Sequence, residues 1–507
     1  MPFTTLHPAA RRKENPIDSL TIQSSNPTRD VPIDVLIDSM VRPITDAVSS
    51  FIFYAVPVGD ANLPLIVVWL VAGGLFFTGY LGFINVRGFR HGLALATGRY
   101  QNPNAPGEVT QFQALATAVS GTVGVGNIAG VAIAISLGGP GATFWLIVAG
   151  LLGMSTKFAE CTLAVRYRKT NPDGSVSGGP MYYLEQGLTD LKLPGVGKAL
   201  GLFYAMAMVI GCLGIGNMFQ SNQAAAIFIT VTGAEQSPFM GKAWLLGLAM
   251  AIVVAIVIFG GIKSIARVTE KLVPFMAVLY SVAAIVIIVF NADKLLWAFG
   301  AIWQGAFSPD GVTGGIIGVI VIGFRRAVFS NEAGLGSASI AHSAVKTNFP
   351  ATEGYVALLE PFIDTVVVCT LTALVIITTV YDPLLANTGI SGIEMTTRAF
   401  QSTISWSPIP LSVAAILFAF STMLSWSYYG LKAFTYLFGE ATITQLIFKF
   451  IFCIFIVIGS AIQLNALIDL SDALVFIVAI PNLIGLYILA PIVRAEIEKY
   501  SESRKTA

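Results

Sequence analysis

Apolar runs long enough to cross a bilayer follow one another along most of the chain, at 64–86, 111–138, 141–165, 198–230, 242–262, 268–291, 313–345, 353–380, 408–431, 443–463 and 468–494. A membrane-spanning helix needs roughly 20 apolar residues, so the pattern predicts about eleven transmembrane helices in one all-α integral membrane protein. No stretch is polar enough for a separate soluble domain. Residues 1–32 are polar and contain proline, predicting a disordered tail, and they lack the apolar core of a signal peptide. Residues 33–58 read as amphipathic and predict a segment lying along the membrane surface, with a twelfth span as the alternative.

Two places inside the runs break the pattern. SGTVGVGN, Ser120 to Asn127, puts glycine beside Thr122 and Asn127. Each glycine weakens a helix by about 1 kcal/mol relative to alanine. Interrupted backbone at membrane depth is tolerated where it lines a cavity or is buried in protein, and its freed N–H and C=O groups can hold ions. The competing explanation is close helix packing through small residues. FSNEAGLGSA, Phe329 to Ala338, is the second place, and it carries Glu332. An intramembrane Glu is costly and points to function. Its two readings are a brace for the broken helix and an ion ligand. Arg325 and Arg326 just before it would face an aqueous vestibule or pair with carboxylates.

With the run at 64–86 set aside as an extra helix, ten runs divide into five (110–292) and five (313–494), followed by a tail at 495–507. Each break falls in the first helix of its half. An odd number of spans per half turns the halves over relative to one another, the plan of an inverted-repeat transporter with its site at the repeat interface.

Composition agrees: 55% of residues are hydrophobic and 11% charged, with a net charge of +1. No basic stripe is present, so no nucleic-acid partner is expected. Lys and Arg concentrate in alternate loops, at Arg87, Arg90 and Arg99, at Arg166, Arg168 and Lys169, at Lys263, Arg267 and Lys271, then Lys346, Lys432 and the tail. That bias places the C-terminus in the cytoplasm and, with eleven spans, the N-terminus outside, although Arg11, Arg12 and Lys13 then lie outside too. Cys161, Cys212, Cys369 and Cys453 lie far apart within apolar runs, which predicts neither a disulfide framework nor a zinc site.

Taken together, GTVGVGNIAGVAIAISLGGPGATFW, GMSTKFAECTLAVRYR, SGGPMYY, IGNMFQSN, VTEKLVPFMAVLY and FSNEAGLGSASIAHSA resemble the alanine or glycine:cation symporter family, from about residue 64 to about 495. The resemblance implies a LeuT-like core of 5+5 inverted repeats. It also implies Na⁺-coupled import of small neutral amino acids, chiefly alanine and glycine, across the cell (inner) membrane, with no organic cofactor and no partner protein. The LeuT match falls on Thr122, Gly124, Val125, Gly126 and Asn127. By it, the N–H groups of Val125 and Gly126 would hold the substrate carboxylate, and Thr122 and Asn127 would offer oxygens to one Na⁺. Phe329 and Ser330 would lie over the substrate. Ser120 and Val123 carbonyls, the Phe418 carbonyl, and the Ser421 and Thr422 hydroxyls would cage the other Na⁺. An uncharged oxygen cage suits Na⁺ better than a divalent metal.

Several side chains keep two readings. Gln220 is a substrate contact or an interhelical hydrogen bonder. Asp364 is a second-Na⁺ ligand or a partner of Arg325. Glu160 braces an unwound segment or touches substrate, and Asn331 belongs with Glu332. Trp426, one turn beyond Thr422, caps the pocket or faces bundle or lipid. His342 reads as a structural hydrogen bonder near the cytoplasmic surface rather than a proton relay.

Other function classes fit less well. No GxxxxGK[ST] motif indicates ATP drive, no repeated filter indicates a channel, and three histidines (His7, His91, His342) leave little for a histidine-based membrane enzyme. The alternative transporter is a LeuT-like cation-coupled carrier of another small zwitterion, or a proton-coupled variant.

Overall fold

The structure is a computed structural model that describes residues 42–43, 46–58, 61–100, 102, 104–172, 174–308, 314–381, 392–462 and 464–505. The expected tail at 1–32, with Arg11, Arg12 and Lys13, lies outside these residues, as does much of the 33–58 segment.

The apolar runs fold as helices: α1 (Leu65–Tyr80), α2 (Gln111–Thr122), α3 (Ala129–Gly138), α4 (Gly141–Arg166), α5 (Pro194–Val231), α6 (Ala243–Ile258) and α7 (Gly261–Phe290). They continue as α8 (Gly315–Asn331), α9 (Ser339–His342), α10 (Pro350–Thr379), α11 (Pro408–Phe438), α12 (Thr442–Ala461) and α13 (Leu464–Lys505). Among the described residues, seven are long and apolar enough to span alone, and the α2–α3 pair, bent by 50°, forms an eighth. The short apolar helices α1 and α6, and the interrupted α8–α9 pair, account for the remaining runs.

Two expectations change at the start of the chain. The described part of 33–58 is helical only to Ile52, then forms an antiparallel hairpin of Ala55–Val58 on Ala61–Pro64. A hairpin satisfies its backbone across strands, so this part is neither a continuous surface helix nor a twelfth span. It docks on the bundle: the Phe53 ring meets Phe476 of α13 at 5.3 Å and lies 4.0 Å from the Arg325 guanidinium. The run 64–86 yields a shorter helix than expected. Positive φ at Gly82 (63°) and Phe83 (57°) turns the chain out, and it resumes as Ile84–Arg87 and Phe89–Ala96.

Both interruptions are present. After α2 the chain is extended at Gly124, makes one 3₁₀ turn at Val125–Asn127 and restarts as α3. A capping box between Thr110 and Gln113 fixes where α2 begins. After α8, Glu332 (φ 58°), Gly334 (φ 90°) and Gly336 (φ 76°) carry the chain through left-handed conformations to α9. Glycine takes these without penalty, whereas Glu332 costs about 1–2 kcal/mol there, which its own side-chain bonds must offset. Two further spans hold a π-helical stretch, Gly214–Met218 in α5 and Phe362–Cys369 in α10. A π stretch commonly marks a functional position.

The end of α13 returns to the start of the bundle, where Tyr500 Oη and His91 Nε2 are 2.9 Å apart. Burial, then the nearby Arg504 charge, lower the His91 pKa to about 4. A depressed histidine favours the folded state while neutral. Its contribution is present above about 6.5, the unfolded value, and is lost as pH falls from there towards about 4. We therefore expect the C-terminal helix to become more protease-sensitive between pH 7 and pH 5 in the wild type, and His91→Gln to flatten that change. Equal pH sensitivity in both proteins would contradict it.

Candidate substrate and ion site

A helix leaves its last four carbonyls without intrahelical donors. For α2 these belong to residues at the break, deep in the bundle. The Val123 N–H takes the Val119 carbonyl at 2.7 Å. The next two are met by one face of α11. Thr422 donates to the Ser120 carbonyl at 3.0 Å, and Trp426 Nε1 donates to the Gly121 carbonyl at 3.2 Å. Ser425, between them, donates to the Thr117 carbonyl at 2.6 Å and touches the Ser120 hydroxyl. Thr422, Ser425, Trp426 and Tyr429 follow the three- and four-residue spacing of a single helix face. Gly124 must be glycine here, because a Cβ would stand 2.6 Å from Thr422 Oγ1 and 3.2 Å from Gln220 Oε1.

Gln220 bridges the break to α5. Its Oε1 accepts from the Val125 N–H at 3.3 Å, and its Nε2 donates to the Ile215 carbonyl, freed by the π stretch, at 3.1 Å. Gly126 lies beneath Phe329, with 3.5 Å from the Phe329 ring to the position a Cβ would take. Phe329 in turn packs edge-on against Phe219 at 5.4 Å and lies 5.2 Å from the Arg326 guanidinium.

A second cluster surrounds Asp364 in the π stretch of α10. Its Oδ1 accepts from Asn127 Nδ2 at 2.6 Å, and its Oδ2 accepts from the Ser330 and Thr365 hydroxyls at 2.8 and 2.7 Å. Asn331 Nδ2 donates to Thr365 Oγ1 at 3.0 Å. Both broken helices therefore meet on one buried carboxylate. Asp364 does not pair with Arg325, the alternative the sequence had left open. Arg325 is 2.7 Å from Asp472 of α13, and Arg326 reaches the same carboxylate oxygen.

Other expected site residues fall as follows. The Thr122 hydroxyl turns back to the Val119 carbonyl at 3.2 Å, inside its own helix. Asn127 spends its oxygen on the Gly124 N–H at 2.8 Å. Ser421 donates to the Phe418 carbonyl at 3.0 Å and contacts Met276 Sδ at 3.4 Å, so its hydroxyl faces α7 and not Ser120. Trp426 is brought to the second break: its indole N–H also donates to Glu332 Oε1 at 3.0 Å, and its ring fills the place of a Gly216 side chain. Glu332 further accepts from Ser337. Asn331 Oδ1 accepts from the Ala333 N–H at 3.0 Å.

Glu160 braces an unwound segment, but the second one. Its Oε1 accepts from the Gly336 N–H at 3.1 Å and from Asn482 Nδ2 at 2.8 Å. Asn482 also donates to the Gly334 carbonyl at 2.8 Å. His342 is fully buried rather than near a surface. Its Nδ1 is 2.6 Å from Glu353, and its Nε2 contacts Glu360. Glu360 pairs with buried Lys157 at 3.2 Å. Cys161, His342 and Glu360 bring donor atoms within 4.8 Å of one another, yet both imidazole nitrogens already face carboxylates.

Sequence reasoning missed Ser425, Asn482, Lys157, Glu353 and Glu360. The three charges stand in or beside apolar runs, and that alone singles them out. Ser425 and Asn482 carry no comparable signal.

The family model described as "Sodium:alanine symporter family" matches residues 51–507. Among curated relatives, the sodium/alanine symporter AgcS of Methanococcus maripaludis is 40% identical over 443 residues, covering 87% of this chain and 95% of that protein. The probable sodium/glutamine symporter GlnT of Bacillus subtilis is 32% identical, covering 87% and 88%. Among solved structures, MhsT in complex with L-phenylalanine has a TM-score of 0.54 at 16% identity, covering 76% of this chain and 97% of that one. Its likeness bears on the fold alone and agrees with the LeuT-like bundle expected from the sequence.

Gly124→Ala tests the first break directly. The added methyl must displace Thr422 or Gln220, which we expect to cost about 1–3 kcal/mol. Purified variant protein should melt earlier than wild type, with Gly126→Ala, which gains an ordinary contact, much less affected. An unshifted melting temperature in Gly124→Ala would show that α11 does not close on the break.

Proposed function

The chain belongs to the sodium:alanine symporter family, and from that premise we propose that it carries small neutral amino acids, alanine first, into the cell with Na⁺ by alternating access. It is a multi-pass membrane transporter and not an enzyme. The observation that carries the reading is the pairing of the Ser120 carbonyl with the Thr422 hydroxyl across the α2 break. Two uncharged oxygens from different helices, adjacent and away from solvent, are neighbouring vertices of a cage for a small monovalent cation. Val123 and Phe418 carbonyls and the Ser421 hydroxyl complete it once Ser421 turns from Met276. Asp364, with Asn127, Ser330 and Thr365, supplies a second oxygen-rich place, at which one Na⁺ would balance the carboxylate.

The substrate lies between them. Its carboxylate meets the Val125 and Gly126 N–H groups after Gln220 Oε1 swings from Val125, and its ammonium meets that same Gln220 oxygen. Its side chain faces Phe329. Trp426 ties the two breaks together on the other side of Thr422 and acts as a latch rather than a wall of the pocket. The Lys and Arg bias of the loops sets the C-terminus in the cytoplasm and the N-terminus outside. The two five-helix halves, 110–292 and 313–494, move against each other, with α1 as an extra helix beside them. Glycine is the smallest substrate of the same site.

Thr422→Ala removes one oxygen from the cage. A hydrogen-bond-strength contact to a charged group is worth about 1.5–3 kcal/mol, so we expect at least about a tenfold rise in the Na⁺ concentration for half-maximal alanine uptake. Unchanged Na⁺ dependence in proteoliposomes would remove Thr422 from the site.

The size limit is a separate test. Leucine should fail to compete with labelled alanine in the wild type, because Phe329 is itself wedged between Phe219 and Gly126. Phe329→Ala opens a cavity in place of the ring and should admit leucine. Equal competition by leucine and alanine in the wild type would instead favour a wider pocket, as the name of the glutamine-carrying relative suggests.

A further inference from the structure

Beyond the central site, a cavity of about 1230 Å³ opens at the end of the bundle formed by Glu108, the Lys169–Ser177 hairpin, the Pro180–Asp190 helix and the last turns of α11. By the orientation proposed above this is the cytoplasmic end. Its floor holds an unusual group. Tyr428 lines the cavity, and its hydroxyl is buried with no hydrogen-bond partner among the described residues. A buried hydroxyl left without a partner costs about 1–3 kcal/mol, which makes Tyr428 a donor awaiting an acceptor.

What surrounds it selects the acceptor. Lys432, one turn along the same face of α11, holds its ammonium 2.8 Å from Ser177 Oγ, 3.9 Å from Glu440 and 5.8 Å from the Tyr428 ring. Glu185 accepts from Tyr436 at 2.6 Å and Glu440 from Ser177 at 2.9 Å, and both carboxylates keep a second oxygen. A simple anion would meet Glu108, Glu185 and Glu440, and a simple cation would meet Lys169, Lys432 and Lys449. A ligand bearing both charges close together meets neither conflict. Its carboxylate takes the Lys432 ammonium and the Tyr428 hydroxyl, and its ammonium takes Glu440 and Glu185.

The cavity also lies beyond the central site along α11. Tyr428 stands six residues beyond Thr422 on α11, about 9 Å along the axis. Trp426 and Tyr429 close the interval against Gly121, at which a Cβ would be 2.8 Å from the Tyr429 hydroxyl.

We propose that Tyr428, Lys432, Glu185 and Glu440 form a second, weaker site for a zwitterionic α-amino acid, occupied by substrate leaving the central site and by amino acid already in the cytoplasm. The inference rests on the transport reading given above. The test is equilibrium binding of labelled alanine to purified full-length protein in NaCl and in choline chloride. We expect two phases in the wild type, the tight one Na⁺-dependent. Tyr428→Phe should weaken the loose phase about tenfold or more, the loss of one hydrogen bond to a charged group, and leave the tight phase unchanged. The hydroxyl has no hydrogen-bond partner among the described residues, so its removal breaks no bond described there. Lys432→Gln should weaken the same phase. Thr422→Ala should do the reverse, weakening the tight phase only. A single, Na⁺-dependent phase in the wild type, or a loose phase indifferent to both Tyr428→Phe and Lys432→Gln, overturns the second site. A loose phase alone, without any Na⁺-dependent one, overturns the central site and leaves the second standing.

Discussion

Every other feature of the site depends on how the open end of α2 is satisfied. Each unsatisfied backbone group in the hydrocarbon region costs several kcal/mol, and α2 ends with carbonyls that its own helix cannot serve. The donors come from α11, a helix about 300 residues away in sequence: Thr422 for Ser120 and Trp426 for Gly121. This arrangement makes the break possible and also makes it conditional. A hydroxyl that donates to a carbonyl can rotate its proton away, and the same two oxygens can then face a cation as neutral ligands. A carbonyl held by the indole N–H has no such option. In the transport reading proposed above, Ser120 is the place where an ion enters the bond pattern, and Gly121 the place where the pattern resists change.

The second break is tied to the first through the same helix. Trp426 divides its one proton between the Gly121 carbonyl and Glu332 Oε1. Movement of either broken segment lengthens one of these bonds. Asp364 makes the corresponding tie on the other side, holding Asn127 from the first break and Ser330 from the second. Two hydrogen-bonded bridges thus connect the interruptions, one through a neutral donor and one through an acidic acceptor. In the proposed cycle, a cation or substrate bound between them alters both segments together, which is the physical content of coupling: a ligand shifts an equilibrium only by its differential contacts with the two states.

The interruptions were legible in the sequence because glycine, asparagine and glutamate are conspicuous inside apolar runs. SGTVGVGN and FSNEAGLGSA stand out without any knowledge of their neighbours. Local spacing also placed Thr422 and Trp426 on one face. What it could not give was the choice of partner. Ser421 and Thr422 are adjacent, and only packing against α7 decides that Ser421 turns to Met276 while Thr422 meets the break. Ser425 finds Ser120 from 305 residues away, and Asn482 finds Glu160 from 322. Glu160 kept two readings, a brace or a substrate contact, and its sequence proximity to the first break concealed that its carboxylate meets the second. The early hairpin at 55–64 was missed because its residues are apolar enough to pass for the beginning of a span.

The buried charges around Lys157 follow from the same constraint. An isolated charge in an apolar interior is prohibitive, whereas a paired and hydrogen-bonded set is tolerable. Lys157 and Glu360 form one pair, and His342 stands between Glu360 and Glu353. These groups come from α4, α9 and α10, so the network fastens the short helix beyond the second break to two long spans. α9 is only four residues long and has little helical stability of its own. Its position is set instead by His342 at one end and by the Glu160–Asn482 brace at Gly334 and Gly336 at the other. Removing one charge would leave its partner buried and uncompensated, a larger loss than the pair's own contribution. The network is thus better understood as the anchor that lets the chain between Glu332 and Gly336 remain unwound. It holds the α9 end of the unwound stretch, while Trp426 and Ser337 hold Glu332 at the other.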